Sequence, residues 1–587
     1  MNRISALITA ICLALSVALC AAAAKHDTLI VSGKTSFWQP GTITTGTGSA
    51  TVTVNESQPK QKWIGFGGCF NEKGWEALQN LSASDKSKAM KLLFDKKEGL
   101  GLEWGRIPIG ASDYGLTRYT LDETAGDTGM EHFSIAHDTS YLIPFIKAAQ
   151  AVKSDIKFWA SAWTTPTWMK TGATDAAGYD GGVFRNEAKY LKANALYTAK
   201  FIEAYNAKGI PIKFVVPQNE PGYDQNYPSC GWGKYRKADG TKVYTDPEFL
   251  SDYLVNYLMP TLKTRTPETE AWFGNLSNNE CDSAYWSATK PKLGTNVIKG
   301  VCLQWNMDFM VQGLVNSGYL VMQSEHQCGN YPWKDAVTSL DAADSTHFYA
   351  NFAPNNYNYG QESWYLIKKW LNKGVHSYNA WNMVLDTGGF NLDQSRKWPQ
   401  NSLLAVNYAS KTLKVTPYYY VFRHCAQFVD TGAVYLATQG GDAIAFRNLD
   451  SSIVTVVFNP TNSAATTTVS VRSKSYQLSI PALGWATLCV GMKPPTAIND
   501  ITHNQFLRNE SGLRITCKGD GYRIALPSRE SGRIELLTVT GRVLESRAIP
   551  QGSREMLLRK QASHAGLLLV RVVYGGESQT SRFFNVH

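Results

Sequence analysis

Several features on which other protein classes depend are missing from this sequence. None of its 10 cysteines belongs to a Cys-x-x-Cys pair, so we expect no zinc site and no other bound metal. The formal charge is +10, but no block of Lys or Arg forms a basic stripe, which argues against nucleic acid as a partner. Beyond Leu19 no run is apolar enough to form a transmembrane segment. No repeat indicates a solenoid.

The sequence does contain a large apolar and aromatic fraction. With 587 residues and 43% hydrophobic content, the chain is long enough for two or three domains with full cores. It has 17 Trp and 29 Tyr, and flat aromatic rings can stack on the apolar faces of sugars. Because most such rings are core residues, the aromatic content fits a carbohydrate site without requiring one.

The N-terminus has the pattern of an export signal. Arg3 precedes an apolar stretch over residues 4–19, and small residues follow up to Ala24. This predicts a signal peptide over residues 1–24, and a mature protein that is secreted or attached to the cell surface. Lipidation of Cys20 is an alternative, although Leu19 is large for the residue that precedes a lipidated cysteine.

Two short apolar runs each end in a glutamate. One begins at Phe214 and ends at Glu220, and the other begins at Leu320 and ends at Glu325. Each is typical of a buried strand whose carboxyl end lies at the reactive face of a (β/α)8 barrel. Two carboxyl groups that face each other across a sugar ring are sufficient to cleave a glycosidic bond. Taken singly, either glutamate could be a structural hydrogen-bond acceptor, so the prediction depends on the pair.

Strand and helix patterns alternate over residues 62–405 and predict an α/β domain, a (β/α)8 TIM barrel. Strands are predicted over 64–70, 104–109, 157–163, 214–219, 270–276, 300–306, 319–324 and 376–384, and helices over 84–96, 139–152, 188–208, 246–262 and 361–373. Residues 25–61 and 406–492 predict a β-sandwich built from both ends of the catalytic segment, and from Pro417 onward we expect strands only. A linker over 493–500 precedes a small all-β module over 501–587.

Six phrases, in order along the chain, resemble glycoside hydrolase family 30. They are Gly65-Phe66-Gly67-Gly68-Cys69-Phe70, Arg106-Ile107-Pro108-Ile109-Gly110, the run over 160–170, Gln218-Asn219-Glu220-Pro221, Ser324-Glu325, and the run over 381–386. The family contains glucosylceramidases, β-1,6-glucanases, β-xylosidases, β-fucosidases and xylanases. The resemblance covers residues 63–490 and implies a barrel fused to a β-sandwich. It also implies a retaining β-glycoside hydrolase with a carbohydrate substrate and no cofactor.

The resemblance assigns roles to individual residues. It makes Glu220 the general acid/base and Glu325 the nucleophile, which forms a glycosyl-enzyme in a double displacement. Asn219 would hydrogen-bond the sugar 2-hydroxyl. Arg106 would help to keep the nucleophile ionised, although a purely structural barrel salt bridge is the alternative.

Further residues are implied at the first sugar subsite. Asp113 and Trp163 match residues that contact the sugar, and Trp381 would form the floor of this subsite; each could instead be a core residue. Where relatives often have His-Trp-Tyr, this chain has Gln304-Trp305-Asn306. Trp305 and Asn306 are candidate substrate-binding residues, and Asn306 could donate to the nucleophile in place of the tyrosine.

Other positions carry weaker expectations. Glu72 lies where the family usually has Asp and is a further candidate for substrate contact. The loop over 222–232, with Tyr223, Tyr227 and Trp232, could line further subsites or simply be packed. Because export permits disulfides, Cys230 and Cys328 could each staple a loop next to one of the glutamates. His326-Gln327-Cys328 differs from the Ala-Cys typical of glucosylceramidases, which leaves the sugar open.

The C-terminal module resembles a C-terminal sorting domain of exported bacterial proteins. The resemblance lies in residues 540–542, 566–573 and 582–586, and it implies export machinery as a partner. An accessory β-domain is the alternative. For the whole chain, the alternatives are a catalytically silent glycan-binding surface protein, or a related clan A glycosidase with another substrate.

Overall fold

The protein, represented by a computed structural model, forms two compact units, Met1–Lys493 and Pro494–His587. The structure describes residues 26–46, 48–222, 227–236, 242–244, 246, 248–277, 281–329, 356–393, 399–492, 514–518, 521–526, 530–538, 543–559, 566–574 and 577–585. The predicted signal peptide, residues 1–24, and the predicted linker, residues 493–500, therefore lie outside the described residues.

Eight parallel strands form a barrel in the first unit, which confirms the predicted fold class. In chain order they are Gly65–Cys69, Trp104–Ile109, Lys157–Ala162, Ile212–Val216, Glu270–Ala271 continued by Phe273–Leu276, Gly300–Gln304, Leu320–Glu325 and Ser377–Asp386. The fifth strand is interrupted at Trp272. Its first piece pairs with the fourth strand and its second piece with the sixth, so this interrupted strand nearly closes the ring.

The barrel strands form because they are nearly continuous apolar runs that are covered on both faces. All six residues of Trp104–Ile109 are buried. Inside the barrel, Phe214 stacks on Trp272 with ring centroids 4.1 Å apart and on Trp159 at 5.3 Å. These rings fill the interior toward the beginnings of the strands, so the polar residues that follow along each strand are gathered at the carboxyl ends.

Helices cover the outside of the barrel between successive strands. They are Glu72–Gln79, Ala83–Phe94, Leu142–Val152, Ala188–Ala207, Phe249–Tyr253 joined by a π-helical turn to Met259–Arg265, Cys281–Thr289, Val311–Asn316, Asn356–Lys373 and Pro417–Ala426. Single 3-10 turns occur at Thr167–Met169, Lys290–Lys292 and Met307–Met310. Short strand pairs are Lys170–Ala173 with Gly181–Phe184, Lys234–Arg236 with Lys242–Tyr244, and Ser402–Asn407 with Thr412–Val415.

The last of these helices corrects one expectation, because only strands were expected from Pro417 onward. The hydroxyl of Thr416 accepts a hydrogen bond from the backbone N–H of Tyr419 at 2.9 Å, which caps the helix, and Pro417 occupies its first turn, where proline is favoured. Tyr418, Val421 and Phe422 are buried on one face. Their spacing of three and four residues is the signal that predicts a helix here.

The β-sandwich combines both ends of the catalytic segment, as predicted. His26–Ser32 pairs with Trp485–Met492, and Val52–Lys62 pairs with Val434–Gln439. The other strands are Gln39–Pro40, Thr44–Gly46, Asp442–Arg447, Ile453–Phe458, Ala465–Val471 and Lys474–Ile480. Alternating side chains such as Val52, Val54 and Leu436 form its core.

The second unit is all-β in its described part, which also agrees with the predicted class. One sheet consists of Arg514–Lys518, Gly521–Ala525 and Glu555–Arg559, and the other of Gly532–Thr538, Val543–Ile549, Gly566–Tyr574 and Glu577–Asn585. Ile524, Leu536 and Val572 contribute to one shared core. In neither unit does a described helix combine the length and apolarity that a membrane span needs.

Candidate active site

Asn219 and Glu220 follow the fourth barrel strand and are held by hydrogen bonds to its two neighbours. The N–H of Asn219 donates to the carbonyl of Ala162 at 2.6 Å, and the N–H of Glu220 donates to the carbonyl of Asn275 at 3.1 Å. Glu220 has φ 47°, a left-handed conformation that costs about 1–2 kcal/mol for a residue other than glycine. Such strain is found where surrounding structure fixes a functional side chain. The Glu220 Oε2 atom accepts from the hydroxyl of Tyr227 at 2.7 Å.

Glu325 ends the seventh strand, and both of its carboxylate oxygens accept hydrogen bonds. Arg106 Nη1 donates to Oε2 at 2.5 Å, and Trp305 Nε1 donates to Oε1 at 3.0 Å. Burial raises the pKa of Glu325, while the charge of Arg106 and the hydrogen bonds from Trp305 and Arg106 act in the opposite direction. The two donors therefore orient the carboxylate and favour its ionised form against the effect of burial.

The guanidinium of Arg106 is itself enclosed on several sides. Its Cζ lies 4.2 Å from the ring centroid of Trp163 and 5.3 Å from that of Trp381. Nε and Nη2 donate to Ser161 Oγ at 3.1 and 3.0 Å. Nη2 also donates to Asn219 Oδ1 at 2.5 Å. Arg106 thus connects Glu325 on one side of the barrel to the residue that precedes Glu220 on the other side.

The side-chain amide of Asn219 has a defined orientation. Its Oδ1 accepts from Arg106 Nη2 and from Gln304 Nε2, the latter at 2.8 Å. A guanidinium can only donate hydrogen bonds, so the oxygen must be the atom that faces Arg106, and the amide nitrogen is turned away from it. Asn219 can therefore offer its N–H groups to a ligand.

Asp113 is a third carboxyl group close to Glu325 and Glu220. Burial raises its pKa well above the usual value, and the charges of Glu325 and Glu220 raise it further. The pKa of the Tyr227 hydroxyl is raised by burial and then by Glu220, Asp113 and Glu325. The charges of Glu220 and Glu325 thus act on both Asp113 and Tyr227. The acidic side chains therefore converge on one site. Within the described residues, Asp113 Oδ1 is buried without a hydrogen-bond partner.

Aromatic rings form a buried cluster beside Arg106. Trp163 and Trp381 are stacked with ring centroids 5.3 Å apart, and Tyr114 meets Trp381 edge-on at 6.1 Å. These three rings belong to one buried cluster that also contains Tyr227. The structure therefore brings Trp163 and Trp381 beside Arg106.

Some candidates lie elsewhere or have another contact. Asn306 is exposed, and no side-chain hydrogen bond to Glu325 is found for it in the described part of the chain. The neighbouring Trp305 donates to Glu325 instead. The carboxylate of Glu72 accepts from the N–H of Leu116 at 2.8 Å and pairs with His137 Nε2 at 2.7 Å, so it fastens a loop.

Trp232 and two cysteines bear on the expectations for the loop over 222–232 and for disulfide bonds. Trp232 is buried and stacks on Phe184 with ring centroids 4.3 Å apart, so this part of the loop over 222–232 is packed. Cys230 and Cys328 are both buried free thiols, and neither staples a loop.

Two contacts were missed by the sequence analysis. They are the hydrogen bond of Gln304 to Asn219 and that of Tyr227 to Glu220. Gln304 is the last residue of the sixth barrel strand, so its place at a strand end could have indicated that it lies at the site. No sequence pattern points Tyr227 toward Glu220.

Comparison with known proteins identifies the family. Residues 63–429 match the model of the glycosyl hydrolase family 30 TIM-barrel domain, and residues 432–488 match that of the family's β-sandwich domain. The chain belongs to glycoside hydrolase family 30. It is accordingly a glycoside hydrolase, and its substrate is a carbohydrate.

Related proteins share this family 30 architecture at low identity. Mouse lysosomal acid glucosylceramidase is 24% identical over 456 residues, which are 73% of this chain and 80% of the relative. Endo-1,6-beta-D-glucanase BGN16.3 of Trichoderma harzianum is 29% identical over 248 residues, 40% of this chain and 47% of the relative. The crystal structure of SrfJ from Salmonella typhimurium superposes with a TM-score of 0.66 at 20% identity, over 80% of this chain and all of SrfJ. At this identity the likeness to SrfJ concerns the fold.

Proposed function

We propose that this family 30 hydrolase cleaves β-glycosides with retention of configuration, with Glu325 as nucleophile and Glu220 as general acid/base. The observation that carries the proposal is the support of Glu325. Its two oxygens are fixed by Arg106 and Trp305, as a group that attacks carbon from one defined direction requires. Glu220 accepts a hydrogen bond from a neutral hydroxyl, that of Tyr227, which can stay in place whether the carboxyl group is protonated or charged.

The reaction proceeds in two displacements. In the first, a Glu325 oxygen bonds to the anomeric carbon while Glu220 gives its proton to the departing glycosidic oxygen. In the second, Glu220 takes a proton from water, which attacks the same carbon and releases Glu325. Asn219 would donate to the sugar 2-hydroxyl, a hydrogen bond that strengthens in the transition state. Asp113, Trp163 and Trp381 would hold the sugar ring in the first subsite.

The substrate class is narrowed by the relatives. One is named a glucosylceramidase and another an endo-1,6-beta-D-glucanase, so β-linked glucose is the first sugar to test. We also propose that the protein is exported, on the basis of its N-terminal signal pattern, and that the C-terminal module takes part in sorting. Recovery of the protein from the medium with an N-terminus at Lys25 would support export.

A panel of substrates tests the proposed function. The mature protein is incubated with aryl β-glycosides, β-1,6-glucan, xylan and glucosylceramide, and product anomers are followed by NMR. We expect one class to be cleaved with retained configuration at the moment of release. Inversion of configuration, or no cleavage of any member, would contradict the proposal; in the latter case a glycan-binding protein would be favoured.

The role of Glu220 is tested with Glu220→Ala. General acid catalysis typically contributes about 10²–10⁴-fold, so kcat/KM should fall by that range for a poor leaving group and much less for dinitrophenolate, which needs no proton. Added azide, a nucleophile that needs no base, should restore turnover of the dinitrophenyl substrate and yield a β-glycosyl azide. Equal losses on both substrates without azide rescue would argue that Glu220 has another role.

Tyr227→Phe tests the contact to Glu220. The Tyr227 hydroxyl donates to Glu220 Oε2 at 2.7 Å, and a donor stabilises a carboxylate in its charged form. Without it Glu220 should keep its proton to higher pH, and the basic limb of the kcat/KM–pH profile should move upward by about one pH unit. The profile is measured on an aryl β-glycoside with a poor leaving group. An unchanged or downward-shifted limb would show that this hydrogen bond does not set the protonation of the acid.

A further inference from the structure

Lys170 is a buried ammonium group close to the proposed acid/base. Its residue is 4% exposed. Nζ donates to Thr164 Oγ1 at 2.6 Å and to the carbonyls of Tyr179, Gly181 and Ser229 at 2.6, 3.0 and 2.9 Å. Burial lowers the pKa of this lysine. A buried charge is retained only when its surroundings compensate for desolvation, and here four oxygens surround one small cation.

These oxygens come from two different loops. Thr164, Tyr179 and Gly181 belong to the loop that follows the third barrel strand, whereas Ser229 belongs to the loop that follows the fourth. The two loops are joined further because Gly181 N–H donates to Ser229 Oγ at 3.0 Å and Gly231 N–H donates to the Gly182 carbonyl at 2.8 Å. The ammonium therefore lies at the seam between them.

The seam between the two loops includes Ser229, which lies close in the sequence to the residue that contacts Glu220. Ser229 follows Tyr227 by two positions, and the Tyr227 hydroxyl donates to Glu220 Oε2. A shift of the seam would thus move the hydroxyl relative to the carboxylate. The hydrogen bonds to Glu325 come from elsewhere, since Arg106 lies in the second strand and Trp305 directly follows the sixth.

We infer that Lys170 is a positioning residue for the acid/base: its ammonium lies within hydrogen-bond distance of four oxygens, ties the two loops together and holds the Tyr227 hydroxyl against Glu220. The inference rests on the proposed function of Glu220. Lysine suits this place because a compact ammonium with three donors can serve carbonyls that approach from several directions. An apolar side chain of the same length would leave the four oxygens without a donor.

The first test compares Lys170→Met with the wild type. If the hydroxyl of Tyr227 is displaced, Glu220 loses the donor that stabilises its charged form, so the basic limb of the kcat/KM–pH profile should move upward by about half to one pH unit. The aryl β-glycoside with a poor leaving group is used. A folded methionine variant with the wild-type limb would overturn the inference.

A matched control separates positioning from loss of stability. Lys96 also has a half-buried ammonium that donates to backbone carbonyls, those of Ala426 at 3.1 Å and Val429 at 2.5 Å, but on the outside of the barrel. Lys96→Met should lower the unfolding midpoint and leave the pH profile unmoved. An equal shift in both variants would show that the profile responds to general destabilisation and would also overturn the inference.

A double variant separates positioning from the bare charge of the ammonium. If Lys170 acts through Tyr227, the methionine substitution should add no further shift in the Tyr227→Phe background. If it acts through space by its charge, its full shift should persist there, and the inference fails. Should Lys170→Met not fold, Thr164→Val removes one partner of the ammonium and should move the limb in the same direction by less; no movement again contradicts the inference.

Failure of the inference and failure of the proposed function are distinguishable in this design. A wild-type protein that cleaves no glycoside contradicts the proposed function before any variant is compared. An active wild type whose lysine variant behaves as the Lys96 control contradicts only the positioning role.

Discussion

Glu325→Gln is expected to lower kcat/KM by at least about 10⁴-fold, because an amide cannot form the glycosyl ester on which a double displacement depends. The measurement uses the best substrate of the panel. A complementary experiment incubates the wild type with an activated 2-deoxy-2-fluoro glycoside, which should leave one sugar attached to the peptide that contains Glu325. A folded glutamine variant with more than about 1% of wild-type activity would place the nucleophile elsewhere.

The stability of this variant has to be measured in parallel. Arg106 is fully buried and loses its carboxylate partner, and removing one member of a buried ion pair typically costs about 3–5 kcal/mol. Glu325→Asp keeps the charge but withdraws the oxygens by about one bond length, and a misplacement of this size can cost about 10²-fold. A low activity of the folded aspartate variant therefore reports on position, and the glutamine variant on chemistry.

The barrel could be predicted from the sequence because its strands are buried on both faces. Trp104–Ile109 begins and ends where the apolar run does. The interruption of the fifth strand at Trp272 was not predicted, since residues 270–276 read as one run. A side chain at Gly274, which has φ +118°, would meet the carbonyl of Cys302 at 2.2 Å; such a close backbone approach leaves no trace in hydrophobic periodicity.

The strand-end part of the site was also predictable, whereas the loop part was not. Glu220 and Glu325 lie at or just after the ends of apolar runs, so strand polarity alone brings them to the same end of the barrel. Trp305 and Asn306 are adjacent, and which of them faces Glu325 depends on the left-handed backbone at Trp305, φ 46°. The path of Tyr227 depends on loop contacts. These are tertiary facts that a strand pattern does not encode.

One buried acid outside the site has a large predicted effect on stability. Glu362 lies on the helix Asn356–Lys373 and is 1% exposed. Among the described residues, neither of its carboxylate oxygens has a hydrogen-bond partner. Burial raises its pKa from 4.5 to about 8. The folded protein therefore keeps this proton over a range of pH in which the unfolded chain has released it.

The direction of the pH dependence follows from these two values. Between about pH 4.5 and pH 8 the folded state binds one more proton than the unfolded state at Glu362, so its contribution to stability falls as pH rises and stays low above pH 8. Glutamine carries no such proton. Glu362→Gln should consequently be more stable than the wild type by about 3 kcal/mol at pH 7, and by close to nothing at pH 4.

Urea unfolding of both proteins at pH 4 and pH 7, followed by tryptophan fluorescence, checks this expectation. Comparing the variant with the wild type at each pH removes the contribution of Asp138, whose pKa burial raises to about 6, because both proteins contain it. Turnover should be unchanged, so the variant also controls for Glu325→Gln as a second buried glutamate replaced by its amide. If the gain in stability were the same at both pH values, it would come from packing. Glu362 would then not have the raised pKa that its burial indicates.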